Sequence, residues 1–212
     1  MEILNDISKN LIAGDDAKVA EQVAQAIQSE VPTAEILDDG LIAGMTVVGD
    51  RFRKHEMFLP EVLLAARAMA AGVALLKPLL IAEEVPSRGK VVLGSVQGDL
   101  HDIGKNLVGI MLEGAGFEVV DLGIDVPAEK FIDTAISEGA SVIGVSSLLT
   151  TTMTQMKGVV ELVEERGLSK QVKVIVGGAP LSAEFARSIG AQDYAYDAAS
   201  AVEKVLALIA EC

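Results

Sequence analysis

From Val91 onward the chain repeats one pattern: a short continuous apolar run, a polar break, then a stretch with helical spacing. The apolar runs fall at 91–96, 118–122, 142–146 and 172–176, with a weaker one at 193–196. Helical segments lie between and after them, at about 104–115, 127–138, 151–166, 181–188 and 198–211. A run that is apolar at every position is buried on both faces, so the strands need helices above and below. The expected fold is therefore α/β: a five-stranded parallel, doubly wound sheet of Rossmann-like or flavodoxin-like type. In such a sheet a ligand sits beyond the carboxyl ends of the strands, near the point where strand order reverses.

The first part of the chain has a different rhythm. Leu4, Ile7, Leu11 and Ile12 share one helical face, and Gly14 ends the run. Asp15 or Asp16 caps a second helix lined by Val19, Val23, Ala26 and Ile27. Pro32 suits the first turn of a third, which carries Ile36, Leu37, Leu41, Met45 and Val48. Pro60 opens a fourth that reaches about Ala82. Four helices with short connections predict a four-helix bundle. The polar linker from Glu83 to Gly89 holds Pro86, which sets the expected domains at 1–86 and 87–212. The stretch 62–82 has the length of a membrane span, but Arg67 and Lys77 interrupt it, so it is expected to be a buried bundle helix.

Composition narrows the function. Hydrophobic residues make up 50% of the chain, which excludes a disordered polymer, and aromatics only 3%, so the core is aliphatic. The formal charge is −14, and a division at Pro86 leaves −7 on each side. No basic face is available, which argues against nucleic acid and anionic membranes as partners. Cys212 is the sole cysteine, so no internal disulfide or cysteine metal cluster can form. Together with a start that lacks a signal-peptide pattern, this leads to an expected cytoplasmic location.

Three strand ends carry polar chemistry. The first is Gln97-Gly98-Asp99-Leu100-His101-Asp102-Ile103-Gly104-Lys105-Asn106. A neutral imidazole is a good ligand for a borderline transition metal, and a nearby carboxylate such as Asp99 can fix its tautomer. By spacing alone, His101 is either such a ligand or a surface residue beside a helix cap made by Asp99 or Asp102. Gly104 permits close approach of a bulky group. The glycine-to-lysine spacing is one residue too long for a phosphate loop, and Asn106 stands where that motif needs Ser or Thr. The second strand end, 146–152, has five hydroxyls within seven residues, enough for a polar slot as well as a helix cap. The third is Gly177-Gly178, which serves either a turn or the clearance of space for a flat group.

Taken together, these loops resemble the cobalamin-binding domain of methionine synthase and of the corrinoid proteins of methyltransferase systems. The family motifs D-x-H-x-x-G, S-x-L and G-G stand here as Asp99 to Gly104, Ser146-Ser147-Leu148 and Gly177-Gly178. Residues Met45 to Phe52 and Met57 to Val62 resemble the family's helical cap. The resemblance implies a cobalamin or related corrinoid, carried in one state as methylcobalamin. It implies that His101 ligates cobalt from below, Asp99 holds His101, and Thr152 extends the relay. Gly98, Asp102, Ile103 and Gly104 would lie against the ring. Ser146, Leu148, Thr150, Gly177 and Gly178 match positions that line a slot for the cofactor's base-bearing tail, with Ala198 nearby. Phe52, Leu59 and Val62 match an apolar lid over the upper face, although spacing alone reads them as bundle core. His55 reads as solvated.

The implied function is a methyl carrier without autonomous activity. Its partners would be a substrate-specific methyltransferase, an acceptor methyltransferase acting on a pterin or thiol, and a reductive activase. Two related alternatives are a cobalamin-dependent regulator and the small subunit of a B12-dependent mutase. A non-corrinoid signalling domain of flavodoxin-like fold leaves the histidine, the hydroxyl cluster and the helical half unexplained.

Overall fold

The computed structural model describes residues 2–83, 85 and 87–210; Pro86 and Cys212, named above, lie outside the described residues. The chain divides into two compact units, one formed by the residues up to Ser87 together with Gly114–Gly116, the other by Arg88–Glu113 and the residues from Phe117 on.

The first unit is helical. Helix α1 (Glu2–Ile12) buries Leu4, Ile7 and Leu11, and α2 (Asp16–Gln28) buries Val19, Val23 and Ala26. Asp15 is the α2 N-cap, its carboxylate accepting the Lys18 N–H at 3.1 Å. The third rod differs from the simple helix expected from its periodicity. It runs as α3 (Thr33–Glu35), a π-helical segment (Ile36–Ile42) and α4 (Ala43–Arg53) without a break, and Pro32 sits just before its first turn. The wider π turn brings three successive residues, Gly40, Leu41 and Ile42, into the core, which the narrower turn of an α-helix does not favour. The buried Thr33 hydroxyl hydrogen-bonds Glu83 Oε1 at 2.9 Å, stapling the start of this rod to the end of α5 (Leu59–Ala82).

Helix α5 departs from expectation in one respect. It was expected to be buried, but only one face is: Val62, Ala65, Ala68, Met69, Gly72 and Leu76. Leu63, Leu64, Leu75 and Ile81 are exposed on the other. The reason is geometric, because four rods enclose one central seam and each presents a single face to it.

The second unit is the sheet. Strands β1 (Lys90–Ser95), β2 (Glu118–Asp121), β3 (Val142–Ser146), β4 (Lys173–Gly177) and β5 (Asp193–Ala195) are all parallel, in the order β2-β1-β3-β4-β5. The helices are α6 (Ile103–Gly114), α7 (Ala128–Glu138), α8 (Gln155–Glu165), α9 (Ala183–Ser188) and α10 (Ala198–Ala210). Register explains the core. Val92, Ile143 and Val174 lie side by side and pack with Phe131 and Ile132 of α7 and Met156 and Val159 of α8. Helix α8 starts later than its sequence pattern suggests, because residues 150–154 form turns.

Lys105 of α6 is buried with its ammonium on Asp121 Oδ2 at 2.5 Å and Asn106 Oδ1 at 2.7 Å. It is committed to the fold rather than offered to a phosphate. Lys105→Met keeps the stem and is expected to change stability by about 1 kcal/mol or less, whereas Asp121→Ala strands a buried ammonium and is expected to cost about 3 kcal/mol. Chemical denaturation of the two variants checks this ordering.

Candidate functional site

The sheet ends on a single rung: Ser95 pairs with Ser146, Ser146 with Gly177, and Gly177 with Ala195. The loops after β1, β3 and β4 therefore leave the same edge. Strands β1 and β3 are neighbours although β2 lies between them in sequence, so this edge is the switch point where parallel sheets bind ligands.

The β1 loop turns at Gly98, whose φ of +83° favours glycine, and presents Asp99 inward. Asp99 is fully buried. Its Oδ1 accepts His101 Nδ1–H at 2.8 Å and the His101 backbone N–H at 3.1 Å. Its Oδ2 accepts the Thr152 hydroxyl at 2.7 Å, the Leu148 N–H at 2.8 Å, the Ser147 hydroxyl at 3.0 Å and the Leu149 N–H at 3.3 Å. Burial by itself pushes this carboxyl up, but the hydrogen bonds from Thr152, Leu148 and His101 outweigh it and hold Asp99 well below the usual carboxylate range.

An ionised carboxylate can only accept, so the proton of a neutral His101 ring sits on Nδ1 and Nε2 keeps its lone pair. That tautomer follows from the hydrogen-bond network. The His101 side chain is 48% exposed, and the nearby loops leave apolar side chains in solvent: Leu100, Ile103, Leu148 and Leu149. Exposed apolar side chains on the loops that carry and neighbour a metal-ready nitrogen, here called the apolar collar, suit a large flat ligand better than a hydrated ion. Among the described residues, no group of three or more His, Cys, Asp or Glu converges to hold an ion. A metal held by His101 must therefore bring its other donors with it, as the cobalt of a corrin ring does. The residues present fit that group.

The other residues singled out in the sequence occupy definite places. Asp102 and Gly104 are exposed at the start of α6, and the Asp102 carboxylate accepts from the Asn106 amide at 3.1 Å. Ser146 and Gly177 are half-buried on the terminal rung, and Thr150 is exposed in the turn that follows. Gly178 has an internal reason to be glycine: its φ is +139°, and a Cβ there would lie 1.8 Å from the Ser147 carbonyl oxygen. Ala198 is buried at the head of α10, whereas Tyr196, two residues earlier, is 77% exposed. In the helical unit, Phe52 and Leu59 are half-buried, Val62 is buried and His55 is exposed.

Sequence reasoning missed Ser147, which reaches both Asp99 and Thr152, the latter at 2.9 Å between hydroxyl oxygens. The hydroxyl-rich run was the available signal, but the hydroxyl that turns inward is fixed only by where β3 stops.

Two family models, each described as a B12 binding domain, match residues 89–206 and 3–77. The chain is 46% identical over 210 residues to the dimethylamine corrinoid protein of Methanosarcina barkeri, covering 99% of this chain and 98% of that one. It superposes with a TM-score of 0.80 on a cobalamin-binding protein from Desulfitobacterium hafniense, at 33% identity and covering 97% and 98% of the two chains. It also superposes with a TM-score of 0.86 on a chain of the methanol:cobalamin methyltransferase complex of Methanosarcina barkeri, at 32% identity and covering 99% of this chain and 80% of that one.

Proposed function

The chain belongs to the corrinoid-protein family built from these two B12 binding domains, and from that premise we propose that it is a methyl carrier that ligates cobalt through His101. The observation that carries this reading is the Asp99–His101 pair, in which a buried carboxylate fixes Nδ1–H and leaves Nε2 free beside an apolar collar. A bound corrinoid supplies a cobalt centre that takes a methyl group from one substrate and yields it to another.

The chain's own residues bind and orient. His101 Nε2 would hold the cobalt; Asp99 fixes the imidazole through Nδ1–H, and Thr152 and Ser147 load Asp99 with hydroxyl donors. Gly98, Asp102, Ile103 and Gly104 would lie against the corrin ring from the His101 loop. Ser146, Leu148, Thr150, Gly177, Gly178 and Ala198 would accommodate the base-bearing tail, and Phe52, Leu59 and Val62 of the helical unit are the residues we assign to a lid. The methyl donor is a methylated amine, a reading supported by the similarity to the dimethylamine corrinoid protein. It is delivered by a substrate-specific methyltransferase. An acceptor methyltransferase working on a pterin or thiol takes the methyl group on, and a reductive activase restores the carrier.

The test is the visible spectrum after reconstitution with aquocobalamin. Wild type is expected to show histidine ligation with the cofactor's own base displaced. His101→Ala is expected to lose that signature and at least about tenfold in affinity, the scale on which even an outer hydrogen-bond partner of a metal ligand acts. Identical axial ligation in the two proteins overturns the reading.

A further inference from the structure

Three described residues other than glycine have positive φ: Glu30, His55 and Asp125. The first two follow the ends of helices, where their N–H groups return to Ile27 and Phe52 carbonyls. Asp125 ends no helix. It lies between β2 and α7 at φ +53°, a region that Asp tolerates better than most residues but less easily than glycine. A strained residue of this kind invites a search for what it holds.

It holds the His101 loop. Asp125 Oδ1 accepts the Gly98 N–H at 2.6 Å, and the Asp125 N–H donates to the Asp99 carbonyl at 3.0 Å. The two bonds grip the Gly98-Asp99 segment at both ends. The loop that carries Asp125 is itself anchored to β1: Val126 N–H donates to the Ser95 carbonyl at 3.0 Å, and Ser95 N–H to the Gly123 carbonyl at 3.0 Å. From the same fully buried Ser95, the hydroxyl donates to the His101 carbonyl at 2.6 Å.

We propose that Asp125 is a positioning residue for the axial histidine: by fixing Gly98-Asp99 from behind, it sets where Asp99 presents its carboxylate and so where His101 stands. The inference rests on His101 being the cobalt ligand. Simple support of the loop backbone does not call for a carboxylate here, because glycine takes this φ with less strain. The carboxylate adds a charge-assisted bond to Gly98 N–H that glycine cannot make.

Asp125→Gly separates the two roles, since it relieves the backbone while removing the grip; Asp125→Asn restores a neutral acceptor. Three readouts apply: thermal unfolding, exchange of the Gly98 amide in the cofactor-free chain, and the nitrogen splitting of bound cob(II)alamin in protein carrying ¹⁵N-histidine. For Asp125→Gly the melting temperature is expected to hold or rise. Gly98 amide exchange and the dissociation constant for cob(II)alamin are each expected to rise about tenfold, the loss of one hydrogen bond to a charged group. The histidine splitting should weaken, and Asp125→Asn should recover affinity to within about threefold of wild type. The clamp is overturned if Asp125→Gly binds within twofold of wild type with full histidine splitting, or if its binding falls only in step with a lowered melting temperature. Wild type without histidine splitting overturns instead the assignment of His101 as ligand.

Discussion

Asp99→Asn is expected to fold yet to lose histidine ligation. The amide must place its NH₂ on one side of the site. Facing the β3 loop, it meets the fixed N–H groups of Leu148 and Leu149, which need an acceptor. Facing His101, it can donate to Nδ1, which moves the ring proton to Nε2 and blocks the lone pair that a metal needs. The second orientation conflicts with one backbone donor, at 3.1 Å, and the first with two, so the second wins. Asp99→Ala goes further and leaves buried hydroxyls and amides without a partner, at an expected cost of about 3–5 kcal/mol. Spectra of the reconstituted variants and denaturant melts of the cofactor-free chains measure the two effects. The same carboxylate predicts an acid signature. Because its folded pKa is depressed, its contribution is complete above the unfolded carboxylate range and is lost as pH falls toward the folded value. Below about pH 4, wild type should lose up to about 1.4 kcal/mol per pH unit more than Asp99→Asn. Parallel pH curves for the two proteins would contradict the buried ionised carboxylate.

Gly178→Ala is expected to damage the second unit independently of any cofactor. The added Cβ would stand 1.8 Å from a backbone carbonyl oxygen, where no side-chain rotation gives relief, and the residue would also be forced to hold φ +139°. The β4 loop must then move away from the β3 loop and break the Ser147 N–H to Gly177 carbonyl bond at 3.2 Å. A cost of about 3–5 kcal/mol follows, or a fall in melting temperature of about 10–20 °C. Gly104→Ala is the control: a Cβ there meets nothing within 4 Å, so stability should change by about 0.5 kcal/mol or less. Calorimetry of the two cofactor-free variants decides whether these glycines serve the chain or the ligand. Gly178 should prove indispensable to the chain and Gly104 dispensable.

The sheet was legible because buried parallel strands write themselves as uninterrupted apolar runs, and β1, β3 and β4 lie within one residue of the runs at 91–96, 142–146 and 172–176. The Asp99–His101 pair was legible because its members are two residues apart. Of the partners distant in sequence, only Thr152 was named, and by the family resemblance rather than by spacing. Ser147 reaches Asp99 across 48 residues and Asp125 reaches Gly98 across 27, and only the strand register brings them together. Spacing excluded Lys105 from a phosphate loop but gave it no other place, because burial of a charge depends on a partner, and Asp121 lies on strand β2. The π segment escaped because Leu37, Leu41, Met45 and Val48 fall at ordinary helical spacing and mask the change of pitch.

The lengths of the strands bear on a hazard that any sheet carries. The inner strands β1, β3 and β4 have 6, 5 and 5 residues, whereas the edge strands β2 and β5 have 4 and 3. An edge strand offers unpaired amides and carbonyls to any other extended chain it meets. Here β2 begins at Glu118 and ends at Asp121, and β5 begins at Asp193, so each short edge is also marked by charge. A strand arriving from a second molecule would find too few rungs to register on and a carboxylate at the first of them. A chain that is half hydrophobic and must assemble its strands out of sequence order spends time partly folded, and these blunted edges give it little surface on which to polymerise.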